Sequence, residues 1–411
     1  MKNKKFYISN NLLSALRLLV VALLFSMACT VTAGNRPFPQ HTTYTVGSIK
    51  PNNVTQAAMD NTVKSMWSAW KTNYLMPAGA GKYYVQYNPA GETVSEAHGY
   101  GMLLTVLMDG ADVNAKTYFD GLYNYYKAHP SAFNPYLMSW KQNSLFQDVE
   151  GNDAATDGDM DIAYALLLAD KQWGSTGTIN YLTAAKNHIN AIMLNEVNQS
   201  NWTLRLGDWA TVGSYSKATR SSDFMLNHLK RFQVATGDLK WKNVTDKTYS
   251  IINTIYNNNS LSTGLMPDFV VLSTAGVYKP AGSNFFESAN DGKYYWNACR
   301  TPWRIATDYL LTGDTRALPQ LQKMNSWIKT KTLNNPANVK AGYGLGGAAL
   351  VTYADNAFTI PFGVSAMVDS TNQTWLNAIW ARGATSGTEI YYTDSIKILS
   401  MIVMSDNWWA P

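Results

Sequence analysis

Ala155-Thr156-Asp157-Gly158-Asp159-Met160-Asp161-Ile162-Ala163 opens a segment whose apolar residues, Ile162, Leu166 and Leu167, recur at helical spacing as far as Trp173. Thr156 or Asp157 is placed to cap this predicted helix, and Gly174 to stop it. The same grammar recurs along the chain. Between Val54 and Tyr74, Met59, Val63, Met66, Trp67 and Trp70 fall three or four apart, the spacing of core packing. Further helices are expected from near Ser95, Asn114, Asp159, Ile179, Ser222, Lys240, Ala298, Asp314, Ala354, Gln373 and Asp394. This is an all-α pattern of about twelve helices with loops rich in Gly, Asn and Pro and few alternating strands. In one domain it fits about six hairpins arranged as a barrel better than a four-helix bundle.

A second acidic run precedes the first by some sixty positions: Val94-Ser95-Glu96-Ala97-His98-Gly99-Tyr100-Gly101-Met102. Thr93 or Ser95 can cap a helix carrying Leu103, Leu104 and Leu107, which puts Glu96 in its first turn. The helix macrodipole alone explains a single acid at such a place, but not three Asp within five positions. Among 14 Trp and 25 Tyr, separated carboxyls point to hydrolysis of a glycosidic bond. One carboxyl protonates the leaving oxygen, another carboxylate activates water, and aromatic faces stack on sugar rings.

Residues 1–33 carry Lys2, Lys4, Lys5 and Arg17, no acid, an apolar stretch from Leu18 to Ala28, and the small-residue exit Val31-Thr32-Ala33. They read as a secretory signal peptide, which makes the expected protein secreted and extracellular. The apolar stretch is shorter than the ~20 residues a membrane span needs. An uncleaved anchor and a lipid on Cys29 are the competing readings. The chain's net charge of +5 resides mostly in these four basic residues, so the remainder, 34–411, is close to neutral. That favours no nucleic-acid or membrane partner. Only Cys299 remains outside the leader, so a large core must replace disulfides. No linker or low-complexity tract divides 34–411, which reads as one domain and a monomer.

Other chemistries fit poorly. Asp153 to Gly158 starts like a calcium loop, but Ala155 and Tyr164 occupy ligand positions. Gly342-Tyr343-Gly344-Leu345-Gly346-Gly347 has dinucleotide-loop spacing with no strand before it. His41, His98, His129, His188 and His228 lack zinc spacing, and no Gly-x-Ser-x-Gly elbow is present. No metal and no cofactor are expected.

The segment Ala155 to Trp173 resembles the signature of glycoside hydrolase family 8, including Ile162-Ala163, Ala169 and Trp173. Ser95 to Gly101 looks like the family segment bearing the general acid, and Asn297-Ala298-Cys299-Arg300-Thr301-Pro302-Trp303-Arg304 like a third family segment. The resemblance covers essentially all of 34–411 and implies an (α/α)6 barrel with an open cleft at one end and an inverting mechanism. It makes Glu96 the proton donor and Asp157 the acid that contacts the distorted sugar at the cleavage point.

The third segment departs from the commonest pattern, in which Asp is the general base. Here Asn297 stands in its place, and an amide cannot take a proton from water. A branch of the family with chitosanases and lichenan and cellulose hydrolases shares this Asn and takes its base from a loop just upstream. Phe285-Phe286-Glu287-Ser288 occupies that place, so the resemblance nominates Glu287 as base. The two carboxyls of an inverting pair are expected roughly 6.5–9.5 Å apart. Trp140 and Trp209 match sugar-stacking positions, and Tyr100, Asp208, Asn297, Arg300, Tyr343 and Tyr392 are further cleft candidates. Arg300 can alternatively orient a catalytic carboxylate.

The expectation is a secreted endo-acting β-1,4-glycosidase acting on chitosan or on a β-glucan such as lichenan or cellulose. A glycan-binding protein with a degenerate site, and a polysaccharide lyase, are the alternatives. The near-neutral charge does not separate chitosan from glucan, because it does not locate the acids.

Overall fold

The computed structural model describes residues 34–411, which form one compact unit. The leader assigned to 1–33 lies outside the described residues. In chain order the helices are α1 Gln56–Tyr74, α2 Ser95–Leu107, α3 Ala115–Ala128, α4 Thr156–Trp173, α5 Tyr181–Asn195, α6 Leu226–Thr236 and α7 Lys240–Asn259. They continue as α8 Thr301–Thr312, α9 Leu318–Thr332, α10 Asn356–Thr359, α11 Pro361–Ala366, α12 Gln373–Thr385 and α13 Tyr391–Met404. Pro361, which has no N–H to continue the ladder, divides α10 from α11; the two occupy one position, leaving twelve among the described residues.

These twelve alternate between an inner and an outer ring. Each inner helix touches the next, α2 to α4, α6, α8, α10/α11 and α13, and α13 returns to α2. The chain is thus an (α/α)6 barrel. Burial follows the same alternation. In α2 only Glu96 escapes full burial, and α10, α11 and α13 are nearly as enclosed, whereas α1 buries only the face of Met59, Val63, Trp67 and Trp70. A helix apolar all round belongs inside, and an amphipathic one outside.

The tightest inner contact is α2 against α4, where two glycines let the backbones meet. A Cβ on Gly158 would lie 2.4 Å from Ser95 Oγ and 2.5 Å from the Ser95 carbonyl carbon; one on Gly99 would lie 2.6 Å from Asp161 Cβ. Gly158→Ala is therefore expected to destabilise the fold by about 1–3 kcal/mol through overpacking. Thermal unfolding checks this, and an unchanged melting temperature would show that the helices have room to part.

Among the described residues nine short strands lie in the connections: β1 Leu75–Pro77, β2 Tyr83–Val85, β3 Thr93–Val94, β4 Lys141–Gln142, β5 Val197–Asn198, β6 Thr203–Leu204, β7 Ala218–Arg220, β8 Phe269–Leu272 and β9 Tyr278–Pro280. Five matter for the site's position: β3 pairs antiparallel with β4, and a three-stranded sheet has the order β7, β8, β9. Among the described residues no helix is long and apolar enough to cross a membrane.

Candidate active site

Glu96, Asp157, Arg220, Asn297 and Tyr391 stand at or just before the starts of α2, α4, α6, α8 and α13, and all five line one cleft with Trp140, Glu287 and Tyr392. Successive inner-helix starts therefore converge on a single place. The helix starts are not capped as the sequence suggested. Val94 occupies the N-cap of α2 and Ala155 that of α4, neither with a side-chain bond. The β3–β4 ladder engages Thr93 and Val94 and fixes the entry to α2, with Ser95 N donating to Trp140 O at 2.8 Å. At α4, Thr156 is already helical and Asp157 is turned toward arginines. Gly174 does end α4, at φ 74°.

Arg300, 2% exposed, ties the acids together. Its Nη1 donates to Glu96 Oε2 at 2.7 Å, to Asp157 Oδ2 at 3.1 Å and to Tyr100 Oη at 3.2 Å, and its Nη2 donates to Asn297 Oδ1 at 2.8 Å. Two carboxyls that share one cation in a buried place separate in acidity. Burial pushes the Glu96 carboxyl up to about 7, with the Asp157 charge adding to the rise and Arg300 opposing it. Burial would raise Asp157 too, but Arg220 and Arg300 outweigh it and hold that carboxyl below its ordinary range. Opposed shifts in neighbouring acids assign a proton to one and a charge to the other. Tyr391 Oη adds a hydrogen bond to Glu96 Oε1 at 3.3 Å.

Glu287 comes from the loop that follows β9. Asp291, fully buried, accepts the backbone N–H groups of Phe286, Glu287 and Ser288 at 2.6, 3.1 and 2.8 Å, which knots the loop into one shape. The Glu287 side chain is exposed on the cleft, and its Oε2 accepts from Asn297 Nδ2 at 2.7 Å. Asn297 thus joins Glu287 to Arg300 with one donor and one acceptor. An Asp there would turn a second carboxylate on Glu287. Behind it, Asp268 Oδ1 accepts the N–H groups of Tyr295, Asn297 and Ala298, and burial pushes its carboxyl up to about 8.

The aromatic and remaining candidates divide. Trp140 is half-buried on the cleft, its Nε1 donating to Glu150 O at 2.9 Å. Tyr392 lines the cleft with its ring 5.7 Å from the Arg300 guanidinium. Trp209 stacks on Phe286 at 5.4 Å, beside Glu287, and so buttresses the loop. Tyr100, Asp208 and Tyr343, expected on the cleft, lie behind it. Tyr100 is fully buried with its hydroxyl on Arg300; Asp208 is spent on Ala154 N and Ser131 Oγ; Tyr343 packs edge-on against Trp327 and accepts from Lys340 N. Each of these polar groups is satisfied inside the protein.

Sequence reasoning missed Arg220, Asp268 and Tyr391. Tyr391 adjoins the nominated Tyr392 at the start of a predicted helix, a signal that was there to use; Arg220 and Asp268 lie in short strands or loops and carried none. Among the described residues no group of three or more His, Cys, Asp or Glu is placed to hold a metal ion.

Comparison with known proteins gives a consistent picture. The model of glycosyl hydrolases family 8 matches residues 37–406. A β-glucanase of Niallia circulans is 64% identical over 411 residues, covering 100% of this chain and 99% of that one. An endoglucanase of Bacillus sp. (strain KSM-330) is 40% identical over 400 residues, covering 94% of this chain and 84% of the relative. The apo structure of a β-1,3-1,4-glucanase from Paenibacillus sp. X4 superposes with a TM-score of 0.92 at 67% identity, covering 92% of this chain and 100% of that one.

Proposed function

The chain belongs to glycosyl hydrolases family 8 and is a glycosidase, and on that premise we propose that it is a secreted, endo-acting, inverting hydrolase of β-glucan. One observation carries the mechanism. A largely buried Glu96 whose carboxyl is pushed up to about 7 shares a cleft with Glu287, and the two are joined in series by Arg300 and Asn297. Glu96 donates its proton to the leaving glycosidic oxygen. Glu287 accepts a proton from the water that attacks the anomeric carbon from the opposite face, and the sugar leaves with inverted configuration. Asp157 stays charged and faces the electron-poor ring of the transition state. The guanidinium and amide between Glu96 and Glu287 keep the two carboxyls from direct contact, which supports an arrangement with water beside the base.

Similarity to proteins called β-glucanase, endoglucanase and β-1,3-1,4-glucanase supports β-glucan over chitosan. The test is release of reducing ends from mixed-linkage β-glucan, carboxymethyl cellulose and chitosan side by side. A chitosan rate above the glucan rates would overturn the substrate, and a retained anomer in the first product would overturn the stereochemistry.

The acidity of Glu96 has its own consequence. The proton donor must be protonated, so kcat is expected to fall as pH rises through about 7, roughly tenfold per unit beyond it. A rate that stays flat to alkaline pH would remove Glu96 from the donor's role.

A further inference from the structure

Arg220 ends β7, and the cleft takes it from the approach to α6, as it takes Glu96 from α2 and Asp157 from α4. The residue is 9% exposed. Its Nε donates to Asp223 Oδ1 at 3.0 Å, which anchors the guanidinium from behind on a fully buried carboxyl. At its other end Nη2 forms an ion pair with Asp157 Oδ1 at 2.8 Å, yet it is not aligned for a hydrogen bond and has no hydrogen-bond partner among the described residues. Asp157 Oδ2 accepts from Arg300, and among the described residues the one hydrogen bond to Oδ1 comes from the N–H of Gly158, at 3.0 Å.

A donor and an acceptor therefore lie side by side at the cleft, paired by charge but with no aligned hydrogen bond between them. A buried N–H left unmatched is costly, and a ligand that completes it gains the difference. A hydroxyl group fits both sites, because its oxygen accepts from Nη2 while its O–H donates to Oδ1. A sugar ring presents that group. We propose that Arg220 and Asp157 form a donor–acceptor pair that clamps one hydroxyl of the sugar bound at the cleavage point, making Arg220 a substrate-contacting residue. The proposal rests on the glycosidase reading for the identity of its ligand.

The charges around the pair set the pH signature. Asp157 faces the cations Arg220 and Arg300 and the carboxyl of Glu96; Arg220 also faces Asp223 and Glu287. Removing Arg220 takes a cation from Asp157, so that carboxylate holds its proton to higher pH. The acidic limb of the rate profile then moves up.

Arg220→Met and Arg220→Lys are compared with the unaltered enzyme for kcat and KM on mixed-linkage β-glucan across pH, for cello-oligosaccharide affinity by tryptophan fluorescence, and for melting temperature. Arg220→Met is expected to lose about 10- to 100-fold in kcat/KM, the scale of a hydrogen bond to a charged group, and to shift the acidic limb upward. Arg220→Lys should restore the limb, because the charge returns, and only part of kcat/KM, because the planar donor does not. A Met variant with a lower melting temperature but unchanged affinity and an unmoved limb would make Arg220 structural and overturn the clamp. If the unaltered protein cleaves none of the glucans, the hydrolase reading fails and oligosaccharide affinity decides alone: undiminished binding by Arg220→Met, or no binding by either protein, overturns the clamp.

Discussion

Glu96→Gln is expected to lower kcat on β-glucan by about 10²–10⁴-fold while sparing oligosaccharide affinity. The amide keeps the shape of the side chain and an oxygen to accept from Arg300 Nη1, so the cleft's hydrogen bonds survive. It has no acidic proton to give. A glycoside with an activated aryl leaving group needs little protonation, and its departure should therefore recover much of the lost rate. This leaving-group dependence separates a proton donor from a residue that merely shapes the cleft. A variant that cleaves β-glucan at the original rate would sink the assignment, as would one equally slow on activated and ordinary substrates.

Glu287→Gln is expected to be comparably damaging and to respond in the opposite way. Its amide oxygen still accepts from Asn297 Nδ2, and the loop stays knotted through Asp291, so fold and binding persist. Water, however, is no longer activated. Because both activated and ordinary substrates need that water, a better leaving group should rescue little. Asn297 already joins Glu287 to Arg300 and cannot take over the proton, since an amide is not a base at neutral pH. A Glu287→Gln enzyme with near-original rate would move the base elsewhere, and Asp268, buried behind Asn297 with one oxygen already holding three N–H groups, is poorly placed to receive it.

The two variants also probe different parts of the architecture. Glu96 rides on an inner helix pressed against α4 at Gly99 and Gly158, whereas Glu287 rides on a loop braced by the ring stack of Trp209 and Phe286. Errors of placement reach Glu96 through the barrel core and Glu287 through the loop's own contacts.

The helices were legible because burial imposes a period on them. All twelve expected starts lie within a few residues of observed helices, and the Trp67 and Trp70 spacing marked an outer helix face that the structure buries at 2% exposure each. The strands were not legible. Elements of two to four residues show no period, and the pairing that forms them joins segments far apart, as Arg220 with Phe269 and Val94 with Lys141. That is why the caps were misplaced at α2 and why Arg220 went unseen.

Burial also explains the misread side chains. Tyr100 and Tyr343 sit in polar, glycine-rich stretches that read as exposed, yet tertiary packing seals both and supplies their hydroxyls with partners. The sequence by itself determined a helical barrel, its family, and the acids at the starts of α2 and α4, because period and motif are local properties of the chain. Only the tertiary structure decided which acid holds a proton and which a charge, that Asn297 links Glu287 to Arg300, and that Arg220 leaves a donor beside Asp157. Those outcomes depend on burial and on groups from separate segments brought together, Glu96 and Asp157 meeting Arg300 across 204 and 143 residues of chain, and neither is written in any one segment.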